Sequence, residues 1–587
     1  MIMKIFKCYI PKITRRNYIM AGASFVFLWL YILSPLSVTD TNYSVYLICG
    51  VFAILCMTKH YYRPQVINSR ERKWICAFSM VFSVAVAAAN YQLYETMGTL
   101  TKVASYGVMF LGGIAVAFPI LRFLLIYTPE KKLNNQRVGS RYVFWIVFGV
   151  ILGINLLFLL FAKYPGILTI DSNVTMQQLL GQTSYNNIMP FWHTITVKIF
   201  VELGRLIFGD MNSAVALFHC GQILFMAACF AYAAMTLYDS GVPVWVWVVV
   251  TVLYAVLPYN IYYSVTMWKD VPFAGAVLLF VTALYRLLQE VGRHNLWTLC
   301  VGGLGVCLWR TNGWYAFLVT FLVMVICLKK NYKNITCAMV GVLIVSWVLL
   351  NPFLWYLGAD EMKLTETLSV PFQQIARVVA NDRVLTEEEQ KWLSEIFYLD
   401  LIPQRYNPLI ADPIKFDTFR QDRTEYLFEH WKNYLCLYLR LGLRYPGDYL
   451  KAWIDQTKGY WNAGYTYWVY TQGVYENTYG VSARYGTNLI SRLFDTYVMY
   501  WEKFKIFTLL TSIGVQIWIL ISCTLVNVLK KRKEFLLGIP MLVLVAGLWL
   551  GTPIYAEFRY AYPFFLTVPF LAVVTFYQRN TRNYPLE

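Results

Sequence analysis

A stretch of about 20 apolar residues crosses the roughly 30 Å hydrocarbon core of a bilayer as a helix. In hydrocarbon every backbone N–H and C=O must find its partner inside the chain. Such stretches recur along this 587-residue sequence, and with 58% hydrophobic and only 14% charged residues little remains to build a water-facing fold. The recurrence restricts the chain to one class, an all-α polytopic membrane protein. Fourteen spans are expected, near residues 18–36, 43–57, 74–91, 103–126 and 142–162, then 213–235, 244–258, 271–288, 296–308, 314–328 and 335–356, and finally 506–529, 535–550 and 560–577. The first lacks a small-residue cleavage site and reads as a retained helix.

The formal net charge of +18 would suit a nucleic-acid partner, but its distribution points to the membrane. Of the 50 Lys and Arg residues, 25 fall in alternate short loops between the expected spans, as the positive-inside rule requires. Taking those loops as cytoplasmic puts both termini inside. The loop 163–212, Lys269-Asp270, the turn at Arg310, a long polar segment and Glu557 to Arg559 then lie on the extracytoplasmic face. Four units are expected: a four-helix N-terminal membrane unit (1–141) with no assigned chemistry, a seven-helix core (142–356), a mainly helical extracytoplasmic domain (357–504) and a closing three-helix unit (505–587).

Several chemistries find no support in the motifs. Eleven of the twelve cysteines lie in or beside apolar runs or at the N-terminus, which leaves Cys436 alone in the polar segment and no disulfide expected there. No CxxC pair or metal-ligand spacing appears. The absence of a DxD pair, a GxxxxGK[ST] loop and a large cytoplasmic segment disfavours nucleotide-sugar and ATP chemistry. Gly302, Gly303 and Gly305 sit inside an apolar run and predict close helix packing.

Residues 190–209 space Thr194, Lys198, Glu202 and Arg205 as a polar stripe opposite Trp192, Ile195, Ile199, Leu203 and Leu206. This predicts a helix lying on the membrane surface with Lys198–Glu202 and Glu202–Arg205 pairs. Asp171-Ser172-Asn173 starts a second short helix through Met176 and Leu180. By spacing alone Asp171 is an N-cap, and Asp270 before Val271-Pro272 is another. Lys269, Arg310 and Arg559 suit the oxygens of a phosphate, although Lys269 would also snorkel to head groups and Arg559 would also pair with Glu557. Arg310 with Asn312-Gly313, between two short apolar runs, predicts a helix break that carries charge and N–H groups to a site. His193 beside Trp192 is either a packed or hydrogen-bonded residue, or one that positions a ligand or assists proton transfer.

In the polar segment Thr386 with Glu389 predicts a capping box. Residues 424–443 read as a helix ended by Arg444-Tyr445-Pro446-Gly447. Eight aromatics between Gly459 and Gly480 (Tyr460, Trp461, Tyr465, Tyr467, Trp468, Tyr470, Tyr475 and Tyr479) suit sugar stacking and bilayer anchoring equally.

Pro165-Gly166 with Asp171-Ser172, Pro190 with His193, Trp268-Lys269-Asp270, Arg310 with Asn312-Gly313, Pro371 to Arg377 and Glu557-Phe558-Arg559-Tyr560 together resemble motifs of the GT-C superfamily of membrane glycosyltransferases, which includes protein O-mannosyltransferases and lipid A aminoarabinose transferases. The resemblance covers about residues 142–587, and the four preceding helices depart from the basic pattern. It implies a sugar donor linked to polyprenyl phosphate as co-substrate and no further cofactor, and it leaves a divalent-metal requirement open. Asp171 would be the general base of an inverting displacement, its pKa raised by partial desolvation, and Asp270 would share the catalytic role. His193, Lys269, Arg310, Asn312, Gln374, Arg377 and Arg559 would bind substrate. The expected acceptor is a cell-envelope glycopolymer, such as teichoic acid or polysaccharide, at the outer face of the bacterial cytoplasmic membrane, with another glycan, a protein or a lipid as alternatives; membrane lipid, and no nucleic acid, is expected as partner.

A carrier or flippase for a lipid-linked saccharide is the rival reading. It predicts charges near the bilayer middle and two related halves, whereas these charges gather at one face. A structural subunit of an envelope-synthesis complex is the third.

Overall fold

The computed structural model describes residues 67–577 apart from 96, 128–139, 186–188, 329–331, 359–366, 465–468, 470, 487 and 504, together with 50, 51 and 53. The span expected near 18–36, nearly all of that near 43–57, and the basic loops at 1–16, 59–63, 131–137 and 579–582 lie outside the described residues. The protein is an all-α polytopic membrane protein, and among the described residues β-structure is confined to isolated bridges.

Nine helices of the described residues are long and apolar enough to cross a membrane. In chain order the elements are α1 (Ser69–Ala89), α2 (Thr99–Tyr127) and α3 (Ser140–Leu157), then α4 (Ile170–Leu179) and α5 (Phe191–Phe208). The core continues with α6 (Met211–Asp239), α7 (Val244–Val256), α8 (Pro258–Ser264), α9 (Asp270–Gln289), α10 (Arg293–Trp309), α11 (Thr311–Leu328) and α12 (Lys333–Leu350). The polar domain contributes α13 (Ser369–Ala380), α14 (Glu387–Ile396), α15 (Trp431–Arg444), α16 (Pro446–Thr457) and α17 (Leu489–Lys503), before α18 (Ile513–Leu529), α19 (Ile539–Gly551) and α20 (Phe558–Phe576). The spans expected near 296–308 and 506–529 are helices of 17 residues, and that near 244–258 is the pair α7–α8, bent by 50°.

The bundle is built around α9, which packs against α6, α10 and α20 and is buried along nearly all its length. Small residues permit that approach. A Cβ on Gly302 of α10 would stand 2.7 Å from the backbone nitrogen of Phe280, and one on Gly305 would stand 2.8 Å from the Cβ of Ala276, so both positions exclude a side chain. The pair α1–α2 closes on α18 through Phe78 and Phe82, whose rings meet Trp518 edge-on. At one end of the bundle Arg286 binds Asp239 at 2.5 Å, Gln289 donates to Glu534 and Lys533 donates to Tyr332. The polar domain covers the other.

Helix α5 differs from its expected pattern. Thr194 is turned inward with His193, Val197, Val201 and Gly204, while Ile199, Leu203 and Leu206 are exposed. Lys198 donates to the Tyr185 hydroxyl, and Glu202 pairs with Arg205 at 3.5 Å. Packing against α6 decides the inward face and leaves Ile199, Leu203 and Leu206 exposed beside Glu202 and Arg205. Gly209, at φ 74°, ends the helix in a left-handed conformation.

In the polar domain the Thr386–Glu389 capping box is present, and Phe372, Leu393, Ile396 and Leu441 lie in the core. The expected helix over 424–443 is two pieces, Thr424–Glu429 and α15, parted at His430, and Tyr445 separates α15 from α16. Of the aromatic run, Tyr460 and Trp461 are structural. Tyr460 is fully buried, donates to the Ile554 carbonyl at 2.9 Å and accepts from the Glu557 N–H at 3.1 Å, while Trp461 stacks on Trp453. Tyr465, Tyr467, Trp468 and Tyr470 lie outside the described residues.

Candidate functional site

Beyond α3 a π-helical turn, Phe158–Ala162, leads to an extended strip hydrogen-bonded on both sides. Ile167 exchanges bonds with Val265 (2.7 Å) and Met267 (3.1 Å), while Leu168 does so with Gly473 (3.2 Å) and Tyr475 (2.8 Å). Gly166, at φ 127°, lies against the His219 ring, where a side chain would not fit. Thr169 then caps α4 in a reciprocal box with Ser172. The indole N–H of Trp268 donates to the Thr169 hydroxyl at 2.8 Å, and the Ser172 hydroxyl donates to the Met267 carbonyl at 2.8 Å. Asp171 is therefore not the cap that spacing alone predicts: the capping work is done on either side of it, and its carboxylate is left for Arg559.

Arg559, in the first turn of α20, pairs with Asp171 and, at 3.4 Å, with Glu557, while its guanidinium lies over Trp268 (5.3 Å) and Tyr560 (5.2 Å). Asp270 opens α9, is fully buried and receives Arg310 at 2.9 Å; it too makes no side-chain cap. Arg310 has extended backbone (φ −154°, ψ 132°) between α10 and α11, so the expected helix break is present and aims the guanidinium into the bundle end, over the ring of Tyr560 at 4.5 Å. Lys269 lies within electrostatic reach of Asp171, Asp270, Arg310 and Arg559 and approaches the Met189 sulfur at 3.7 Å. Three carboxylates and three cations thus alternate in one cluster, and Tyr560 carries both guanidiniums.

The electrostatics differ from expectation at Asp171. Burial does disfavour its charged form, but Arg559 and Lys269 together outweigh burial and hold the carboxyl below its ordinary value. Burial lowers the Lys269 ammonium, opposed by Asp171 and Asp270. Glu557 is raised by burial, offset in part by Arg559. The Asp171 side chain keeps 31% of its surface, so the cluster is open to a ligand there.

The remaining predicted residues divide. His193 of α5 is 1% exposed, neither ring nitrogen has a hydrogen-bond partner, and burial with the nearby Lys269 charge pushes its pKa down to about 3, which leaves it neutral and a poor proton carrier. Asn312 is exposed on the first turn of α11, with the Thr311 hydroxyl at 3.5 Å. Gln374 and Arg377 are not brought to the cluster. Gln374 donates to the Tyr449 carbonyl and accepts from Tyr438, and Arg377 binds Asp455 at 2.7 Å and the Tyr91 hydroxyl at 3.2 Å. The contacts of Gln374 lie inside the polar domain and those of Arg377 at its joint with Tyr91, so both are architectural. Sequence reasoning gave Glu557 only a structural part and gave Trp268 and Tyr560 none, although all three stand in the motifs that contain Lys269 and Arg559. It also passed over Asp455, fully buried and bound by Tyr91, Gln92, Arg377 and Lys458, for which an Asp directly after Ala452-Trp453-Ile454 was the available signal.

No group of three or more His, Cys, Asp or Glu among the described residues is arranged to hold a metal ion. No curated protein and no solved structure matches the chain significantly. A family model does, over residues 181–584, a range that takes in Lys269, Asp270, Arg310, Glu557 and Arg559 and begins ten residues after Asp171. By that match the chain belongs to the family of unknown function DUF6020.

Proposed function

We propose that the protein is a membrane glycosyltransferase of the GT-C type, with fourteen spans, both termini cytoplasmic and its site on the extracytoplasmic face, that moves a sugar from a polyprenyl phosphate to an envelope glycopolymer. One observation carries the reading: Asp171, Asp270 and Glu557 meet Lys269, Arg310 and Arg559 at the domain-covered end of the bundle.

The phosphodiester of such a donor is an anion that competes with carboxylates for guanidinium groups. Without it, Asp171 is tied to Arg559 and is a weak base. When the donor phosphate takes Arg559, Asp171 loses the larger of the two charges that hold its pKa down while its burial persists, so its proton affinity rises as the acceptor hydroxyl arrives. The hydroxyl oxygen bonds to the anomeric carbon from the face opposite the phosphate, and its proton passes to Asp171. The bond from carbon to phosphate oxygen breaks, and its electron pair leaves on the polyprenyl phosphate, whose charge Arg559, Arg310 and Lys269 stabilise. Asp270 acts by orienting Arg310. Gln374 and Arg377 have no part in this reading.

The test uses purified protein in lipid nanodiscs, a panel of radiolabelled polyprenyl-phosphate sugars and an envelope extract as acceptor. Wild type is expected to turn over one donor, and Asp171→Asn to bind it without turnover. Full activity of the variant overturns the base assignment. If wild type turns over no donor but moves a labelled lipid-linked sugar across sealed vesicles, the protein is a carrier.

A further inference from the structure

We propose that His193 and Gln178 line a subsite for an uncharged, hydroxyl-rich group, the sugar of the lipid-linked donor, beside the cationic cluster. The inference rests on the reading above, in which the cations hold the donor phosphate, and adds where the sugar lies and what reads it.

The argument starts from atoms left without partners. Both nitrogens of His193 are buried and unbonded, and so is the amide nitrogen of Gln178, whose oxygen is 3.4 Å from the Thr194 hydroxyl. His193 and Thr194 are consecutive on α5, Gln178 reaches Thr194 from α4, and the His193 ring stands 6.4 Å from that of Phe218 on α6, so the unbonded atoms lie around one seam where α4, α5 and α6 meet. Buried polar groups are nearly always paired, and three unpaired atoms at one seam mark a place where something polar binds.

The chemistry of those atoms selects the class of ligand. A neutral imidazole presents one N–H donor and one lone-pair acceptor, and a primary amide nitrogen presents donors alone. A phosphate oxygen would only accept and would leave the imidazole acceptor unmet. A hydroxyl both donates and accepts, and a ring of hydroxyls satisfies all three atoms. The neutral state of His193 follows from its burial and from Lys269, the residue that also joins the seam to the cluster through its proximity to Asp171 and Asp270. A group with an anion at one end and hydroxyls at the other, as a glycosyl phosphate has, spans the two regions.

The experiment measures equilibrium binding to the full-length protein in nanodiscs. The probes are bare undecaprenyl phosphate and undecaprenyl phosphate carrying a hexose or an N-acetylhexosamine. Wild type is expected to bind at least one sugar-bearing lipid about tenfold or more tightly than the bare one. His193→Phe keeps a flat ring against Phe218, and Gln178→Leu changes the other wall independently, so one variant suffices if the other does not fold. Each is expected to reduce that preference to about twofold or less and to leave affinity for the bare lipid unchanged. Retained preference in both variants, or equal loss of both lipids, overturns the subsite. Undiminished donor binding with impaired transfer assigns the seam to the acceptor and overturns it as well. If wild type binds none of the lipids, the glycosyltransferase reading fails and the subsite falls with it.

Discussion

Asp455→Asn tests the joint between the polar domain and the α1–α2 pair. Asp455 is fully buried on α16 and receives the Tyr91 hydroxyl (2.5 Å), the Gln92 amide (2.9 Å), Arg377 (2.7 Å) and Lys458 (3.1 Å). Tyr91 and Gln92 follow α1, while Arg377 lies on α13, so one carboxylate closes three parts of the chain together. The substitution removes the negative charge and leaves two buried cations, whose side chains keep only 13% and 4% of their surface, without it. Breaking a buried pair in this way costs about 3–5 kcal/mol, which at about 1.4 kcal/mol per tenfold raises the population of the opened joint roughly a hundred- to several-thousand-fold. Hydrogen exchange with mass spectrometry in nanodiscs reads this directly, as lost protection in peptides spanning 90–95 and 446–461. Glu95→Gln is the internal control. Its ion pair with Lys451 sits at the same joint, but both side chains are more than 40% exposed, so it is worth about 1 kcal/mol or less and changes protection by about fivefold at most. Protection within about threefold of wild type in Asp455→Asn, or a loss spread evenly over the bundle, refutes the reasoning.

Other expectations follow from the same contacts. The carboxyl of Asp171 titrates below its ordinary 3.8 in the fold, so its stabilising pair with Arg559 is complete above about pH 4 and is lost as the pH falls through the folded value; Asp171→Asn removes that part of the acid transition, measured by tryptophan fluorescence. His193, with a folded pKa of about 3 against an ordinary 6.5, stays neutral in the fold while the unfolded chain takes up a proton, so stability falls by about 2 kcal/mol between pH 7 and pH 5. His193→Phe flattens that slope in thermal melts. Gly302→Leu forces α10 away from Phe280 and lowers stability by about 1–3 kcal/mol, read as a reduced melting temperature; an unchanged melt contradicts the packing described. Gln374→Ala removes two hydrogen bonds of the polar domain and lowers its protection from exchange, while binding of polyprenyl phosphate stays as in wild type.

Legibility in the sequence followed the reach of each interaction. Apolar length announced the helices, because hydrocarbon admits no other way to pair the backbone, and it located 271–288 and 213–235 to within a few residues. The break at Arg310 was readable for the same reason, since a charge between two short apolar runs has few places to go. Pairings between distant segments were not readable. Asp171 and Arg559 are 388 positions apart, and neither charge names its partner. The cap at Thr169 was hidden because Asp171, Ser172 and Asn173 are all good caps, and the choice was made by Trp268 and Met267 from another helix end. Gln374 and Arg377 look like site residues in a polar helix until α13 is seen to turn that face toward Asp455 and Tyr449. The polar stripe of α5 failed at Thr194, where packing on α6 outweighed the expected exposure.

The doubly bonded strip at Ile167 and Leu168 has a geometric consequence. In extended chain, successive peptide groups face opposite ways, and here one bonds to the bundle at Val265 and Met267 while the next bonds to the polar domain at Gly473 and Tyr475. The strip is the middle ply of three, with no free edge along which to slip. Asp171 stands three residues beyond Leu168, so its place is measured from both walls at once. Inserting or deleting a single residue within the strip would turn each peptide group toward the wrong wall. The spacing from Ile167 to Asp171 therefore behaves as a gauge length, and a shift of the polar domain relative to the bundle is transmitted to the carboxylate as a displacement.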